Sequence, residues 1–210
     1  MKKPILALAF FSPILLAVTF ALAFSAGQPV PVKPELPVLI TSCGQSPGAT
    51  MLKVIFTKMK LDPETKAYEV NMLAAADDLR AARTAGHPYK SLIIVMGASL
   101  KGMGAAGISI DDELSRTARL IEEAKSQGIA IIGAHIEGMK RRAQGAAAGD
   151  NTDELSIDAV APHSDLLLVN KDGNADNRFS IIAKGKNIPL ILVEKNLDLL
   201  EELKKIFSSN

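Results

Sequence analysis

The chain of 210 residues has no tryptophan, two tyrosines, one cysteine and three histidines, and its 24 basic and 23 acidic side chains nearly cancel. Each shortage excludes something. One cysteine cannot close an intramolecular bridge, which excludes a disulfide scaffold. A formal charge of +1 offers no basic field for a polyanion, so no nucleic acid is expected as a partner. Three histidines supply little material for a metal site, and the absence of tryptophan leaves a flavin few flat side chains to stack on. Neither a metal nor a cofactor is expected. A hydrophobic content of 48% excludes a disordered chain and suffices for one domain with its own core.

What is present begins with an export signal. Met1-Lys2-Lys3 is a short positive start, and the run from Ile5 to Ala23 is apolar except at Ser12, Pro13 and Thr19. Ala21-Leu22-Ala23 supplies a small-x-small site, with cleavage before Phe24. If uncleaved, the run approaches the ~20 residues of a membrane helix and would be the only membrane contact. Cys43 lies too far downstream to accept a lipid. The chain therefore reads as exported: secreted, periplasmic or at the cell surface. Residues 24–36 (FSAGQPVPVKPEL) read as a linker, and the folded domain is expected over 37–210.

From there two periods alternate. Short apolar runs at Pro37–Ser42, Ser91–Met96, Ile129–Ala134, Asp165–Val169 and Ile188–Val193 read as strands buried on both faces, with a weaker one at Lys66–Val70. Helical patterns fill the gaps at Ala49–Lys60, Ala74–Ala85, Asp111–Gln127, Asn151–Ala161, Arg178–Lys186 and Leu197–Phe207. Strands separated by helices need crossover connections, hence a mainly parallel sheet of five to six strands. Right-handed crossovers then predict a single doubly wound three-layer α/β sandwich, with strands in the flavodoxin-like order.

Such sheets bind ligands beyond the carboxyl ends of their strands, where the strand order reverses. The segments expected there are Ser42–Gly48 and Gly97–Gly107, both read as loops rich in glycine and small polar residues. In the first, Ser42, Gly44, Gln45 and Ser46 could wrap an anion at the start of the following helix. Alternatively Ser46 is simply the helix cap, with Pro47 at the first helical position. In the second, Ser99, Lys101 and Gly102 place a cation on permissive backbone. His135 and Glu137 follow the third long strand, two residues apart and expected to point the same way, with Arg141 and Arg142 at the rim. His87 and His163 precede strands at the opposite edge and read as structural. Cys43 sits between strand and helix, a position that can activate a thiol, but Ala49 stands where a cysteine phosphatase would carry its arginine.

The runs ITSCGQSPGATMLKV, LIIVMGASLKGMGAAGISIDDEL, IIGAHIEGMKRR and IPLILVE together resemble a family of exported bacterial α/β proteins classed as a domain of unknown function. The resemblance covers about residues 36–207 and implies export and a flavodoxin-like or Rossmann-like sandwich. It implies no established activity and so brings no catalytic residues. Cys43 departs from the small residue usual at that place.

Three functions follow from the residues. The first is a binding domain for a small anionic metabolite, a carboxylate or phosphate, held by Ser42, Gly44, Gln45, Ser46, Ser99, Lys101, Gly102, His135, Glu137, Arg141 and Arg142. A partner subunit or homodimer could supply a second wall to that site. The second is a non-enzymatic envelope component acting through a protein partner. The third is a hydrolase or transferase using Cys43 or Ser42 with His135. No complete catalytic motif is present.

Overall fold

A computed structural model describes residues 32–61, 66–142 and 151–208. The signal segment expected over 1–23 and the first part of the 24–36 linker lie outside the described residues. Among the described residues no helix is long and apolar enough to cross a membrane.

Six strands among the described residues, β1 (Val38–Cys43), β2 (Tyr68–Val70), β3 (Ser91–Met96), β4 (Ala130–His135), β5 (Leu166–Asn170) and β6 (Leu190–Val193), form one sheet in the order β2-β1-β3-β4-β5-β6. Every neighbouring pair is parallel. β1, β3 and β4 are buried along their whole length. That is why they read as unbroken apolar runs rather than as alternating ones. The fold is the expected doubly wound α/β sandwich.

Among the described residues seven α-helices connect and cover the strands: α1 (Gly48–Lys58), α2 (Ala76–Thr84), α3 (Leu100–Ala106), α4 (Ile110–Gln127), α5 (Thr152–Val160), α6 (Arg178–Lys186) and α7 (Asp198–Ser208). On one face of the sheet Leu39, Leu92, Ile94 and Ile131 pack against Leu79 of α2, Leu120 of α4, Ile157 of α5 and Phe179 of α6. On the other face Val38, Ile40, Ile93 and Ile132 pack against Leu52 and Phe56 of α1 and Leu203 of α7. Each fully buried side chain of this size contributes ~1.5–3 kcal/mol relative to exposure.

Three local features differ from the sequence reading. Gly97–Gly107 is not a continuous loop, because α3 lies inside it. Ser99 caps that helix by accepting the Gly102 amide at 3.0 Å, Met103 is buried, and Gly107 ends it in the left-handed conformation at φ 69°. At α1 the capping residue is Pro47, without a side-chain bond, and Ser46 does not cap. Finally, residues 32–36 of the expected linker are tied to the sheet. The Val32 amide donates to Asp165 at 3.3 Å, and Ser91 exchanges hydrogen bonds with both the amide and the carbonyl of Glu35.

Candidate functional site

The strand order reverses between β1 and β3, and the two segments that leave them are locked together. Gln45 pairs with Ala98 in an antiparallel bridge, and the Ser99 amide donates to the Gly44 carbonyl at 2.7 Å. Gly44 has φ +102°, and a Cβ there would lie 2.7 Å from the Ala98 Cα, so only glycine permits this approach. Gly102 serves α3 in the same way, since a Cβ on it would meet the Gln45 carbonyl oxygen at 2.3 Å.

The Gly44, Gly48, Gly97 and Ala98 amides at this edge are occupied by the protein itself. Gly44 N–H donates to the Glu113 carboxylate of α4 at 2.7 Å, and the Gln45 side-chain amide joins it at 3.1 Å. Gly48 N–H, the first donor of α1, reaches Glu137 at 3.1 Å. Gly97 N–H is held by Ser156 and Ala98 N–H by Asp153, both of α5 and both at 2.8 Å. An incoming anion would have to displace a carboxylate of the chain to reach the amides of Gly44, Gly48 or Ala98. Burial pushes the Asp153 carboxyl above the usual range, against the lowering effect of the Ala98 amide and nearby Arg141.

Several candidate residues are withdrawn into the fold. Ser42 and Ser46 are fully buried, and their hydroxyls find no hydrogen-bond partner among the described residues. The Arg142 guanidinium spends its donors on Glu154, Asp176 and the Gly173 carbonyl and lies over the Phe179 ring. It fastens α5 and α6 to the segment between β5 and α6 and has no donor left for a ligand.

His135 and Glu137 do not point the same way, because β4 ends at His135. The imidazole is buried beside Phe179, with ring centroids 5.0 Å apart, and lies 3.2 Å from the carbonyls of both Met96 and Gly138. Burial lowers its pKa to about 4, although both carbonyls favour the charged form. Glu137 turns to the opposite layer, toward α1.

Arg141, Lys101 and Ser99 remain at the edge. Arg141 lies across Gly97, where a Cβ would meet its side chain at 3.0 Å. It donates Nε to Glu137 at 3.2 Å and Nη1 to the Ala98 carbonyl at 2.8 Å, while its Nη2 makes no hydrogen bond among the described residues. Lys101 is exposed on the first turn of α3.

The nucleophile–base pairs suggested by sequence are not assembled. Cys43 is fully buried, and burial raises its thiol pKa, outweighing the Thr117 and Ser156 hydroxyls that favour the thiolate. It shares a sheet face with His135, but Met96 on the intervening strand separates them by two strand spacings, roughly 10 Å. Ser42, one residue earlier in β1, points to the opposite face. No three His, Cys, Asp or Glu side chains gather into a metal-holding group among the described residues.

Sequence reading missed Glu113, Arg116, Asp153 and Ser156. Arg116 holds Glu113 at 2.9 Å and donates to the carbonyls of Ser42 and Ala74, so one ion pair ties α4 to the segments after β1 and β2.

No curated protein matches the chain. Three solved structures share a distant likeness. The esterase EstA from Pseudoalteromonas sp. is 10% identical, with 75% of this chain and 77% of that one covered and a TM-score of 0.32. A GDSL-like lipase from Bacteroides thetaiotaomicron is 17% identical, with 81% and 76% covered and a TM-score of 0.31. The acetyl xylan esterase AlAXEase is 13% identical, with 82% and 86% covered and a TM-score of 0.30. Likeness at this level carries no argument about chemistry. The family model described as Domain of unknown function (DUF6305) matches residues 35–207, and the chain belongs to that family.

Proposed function

We propose that this is an exported, non-catalytic binding domain that takes a small carboxylate or phosphate at the C-terminal edge of the sheet. The observation that carries the reading is Arg141. Its guanidinium lies across Gly97 at the reversal of strand order and, among the described residues, keeps Nη2 uncommitted. Lys101, exposed on α3, adds a second cation on the neighbouring segment. The ligand meets side-chain cations, since the amides beneath are already bonded to Glu113, Glu137 and Asp153.

A thermal-shift screen of the purified protein against citrate, succinate, inorganic phosphate and a nucleoside monophosphate tests this. A ligand at 100 times its dissociation constant adds ~2.7 kcal/mol, a rise of several degrees. The rise should disappear in Arg141→Ala and shrink in Lys101→Ala. No rise with any of the four probes, or an equal rise in both variants, overturns the assignment.

One observation favours a second reading, docking of an envelope protein on the same edge. Leu100 on α3 is 75% exposed, and Leu73, next to the Met72 whose carbonyl accepts from the Gln45 side chain, is 44% exposed. On this reading Leu100→Asp abolishes capture of the partner, and no small molecule stabilises the protein.

A further inference from the structure

The opposite end of the sheet carries a cavity that the function above does not use. It has a volume of about 1130 Å³ and straddles the N-terminal ends of β1, β2 and β3. That is somewhat above the roughly 300–1,000 Å³ of typical small-molecule sites. Its strands are held edge to edge there by the Val38 amide on the Ala67 carbonyl and the Lys90 amide on the Pro37 carbonyl, both at 2.9 Å. The far ends of these strands are the edge that holds Arg141, roughly 17–20 Å away.

Two tyrosines line it, one on each side of the sheet, and their hydroxyls are fixed. Tyr68 stacks obliquely on Phe56 of α1, with centroids 5.2 Å apart, and its hydroxyl meets Thr57 Oγ1 at 3.0 Å. Tyr89 lies on the α2 side, and its hydroxyl donates to the Glu69 carboxylate. Glu69 is therefore already engaged, whereas Lys66 and Lys90 line the same cavity, are exposed and make no hydrogen bond or ion pair through their ammonium groups among the described residues. Two oriented tyrosines bracketed by two uncommitted ammonium groups suit one chemistry: a flat apolar body carrying an anionic group. The tyrosines would border the body from either side of the strand ends, and Lys66 and Lys90 would meet the charge.

We propose that this cavity is a second ligand site, selective for flat aromatic anions, built from Tyr68 and Tyr89 with Lys66 and Lys90 at its mouth. Composition supplies a specific reporter, because the chain has no tryptophan and both of its tyrosines line this cavity. All intrinsic tyrosine emission therefore originates here.

The experiment is a titration of the full chain with 1-anilinonaphthalene-8-sulfonate. It follows dye enhancement and tyrosine emission, the latter corrected for absorption by the dye. Both signals should change with one saturation curve. The charge-reversed Lys66→Glu/Lys90→Glu variant should weaken binding at least tenfold, with an unchanged circular dichroism spectrum. Both substitutions are at exposed positions, so folding is not at stake. Tyr89→Phe, which frees Glu69 toward the cavity, should weaken binding as well. Dye enhancement without a change in tyrosine emission overturns the proposal, as does equal affinity in the charge-reversed variant. Neither arm involves Arg141 or Lys101, so the result is independent of the edge assigned above.

Discussion

Glu113 and Gly44 stand 69 residues apart in sequence, and the buried carboxylate of the first accepts the amide of the second at 2.7 Å. This bond replaces the ligand that an open phosphate-binding loop would hold at the same place. The negative charge needed after β1 is built into α4, and Arg116 balances it from one helical turn away.

Removing that carboxylate is therefore costly. In Glu113→Ala the Gly44 amide loses its partner and the Arg116 guanidinium is left partly buried without a counter-charge. Breaking a buried pair from one side typically costs about 3–5 kcal/mol. Urea unfolding should show a loss of that size, with Glu113→Gln losing less because an acceptor remains. A loss below about 1 kcal/mol in Glu113→Ala would show that the pair does not hold the edge together.

Much of the scaffold was legible in sequence and much of this edge was not, for one physical reason. Strands such as SLIIVM announce themselves because their burial is apolar on both faces. The edge is made of buried polar residues, which resemble surface ones in sequence. Glu113 falls in the first turn of a helix, where the dipole favours any acid, and Arg142 read as a rim cation. A signal existed for Glu113: with Thr117 it continues the buried stripe of Leu120, Ile121 and Ala124 at helical spacing. For Arg142 there was none, since its partners Glu154 and Asp176 come from distant segments. Gln45, Ser99, Lys101 and Arg141 lie on the segments that follow β1, β3 and β4 at one end of the sheet, because the parallel order fixes which loops meet.

His135 should impose a pH dependence on stability. Its pKa of about 4 in the fold lies below the roughly 6.5 of an unfolded histidine, so the unfolded chain takes up the proton first as the pH falls. The neutral imidazole's contribution is complete above pH ~6.5 and is lost as the pH falls toward 4, by on the order of 3 kcal/mol. Unfolding free energies of the protein and of His135→Gln, measured between about pH 7.5 and 4.5, should therefore converge as the pH falls. His163, also lowered by burial, contributes equally to both and cancels. A difference that stays constant with pH would mean that His135 is not held neutral by burial.

The two glycines within α3 separate packing from propensity. Both weaken the helix relative to alanine, which is why the segment read as a loop. A Cβ at Gly104 meets nothing within 4 Å, so Gly104→Ala should stabilise the protein by up to about 1 kcal/mol. A Cβ at Gly102 falls 2.3 Å from the Gln45 carbonyl oxygen, part of the main chain locked to Ala98 by the antiparallel bridge. Gly102→Ala must push α3 away from the segment after β1, and its cost should be about 1–3 kcal/mol despite the same gain in propensity. Thermal melts of the two variants should thus move in opposite directions, by ~2–4 °C per kcal/mol for a domain of this size. Because Lys101 adjoins Gly102, the displaced helix also moves the exposed cation. Weakened anion binding in Gly102→Ala, with full binding in Gly104→Ala, would tie the position of α3 to the ligand edge, whereas equal upward shifts in both melts would refute the close approach itself.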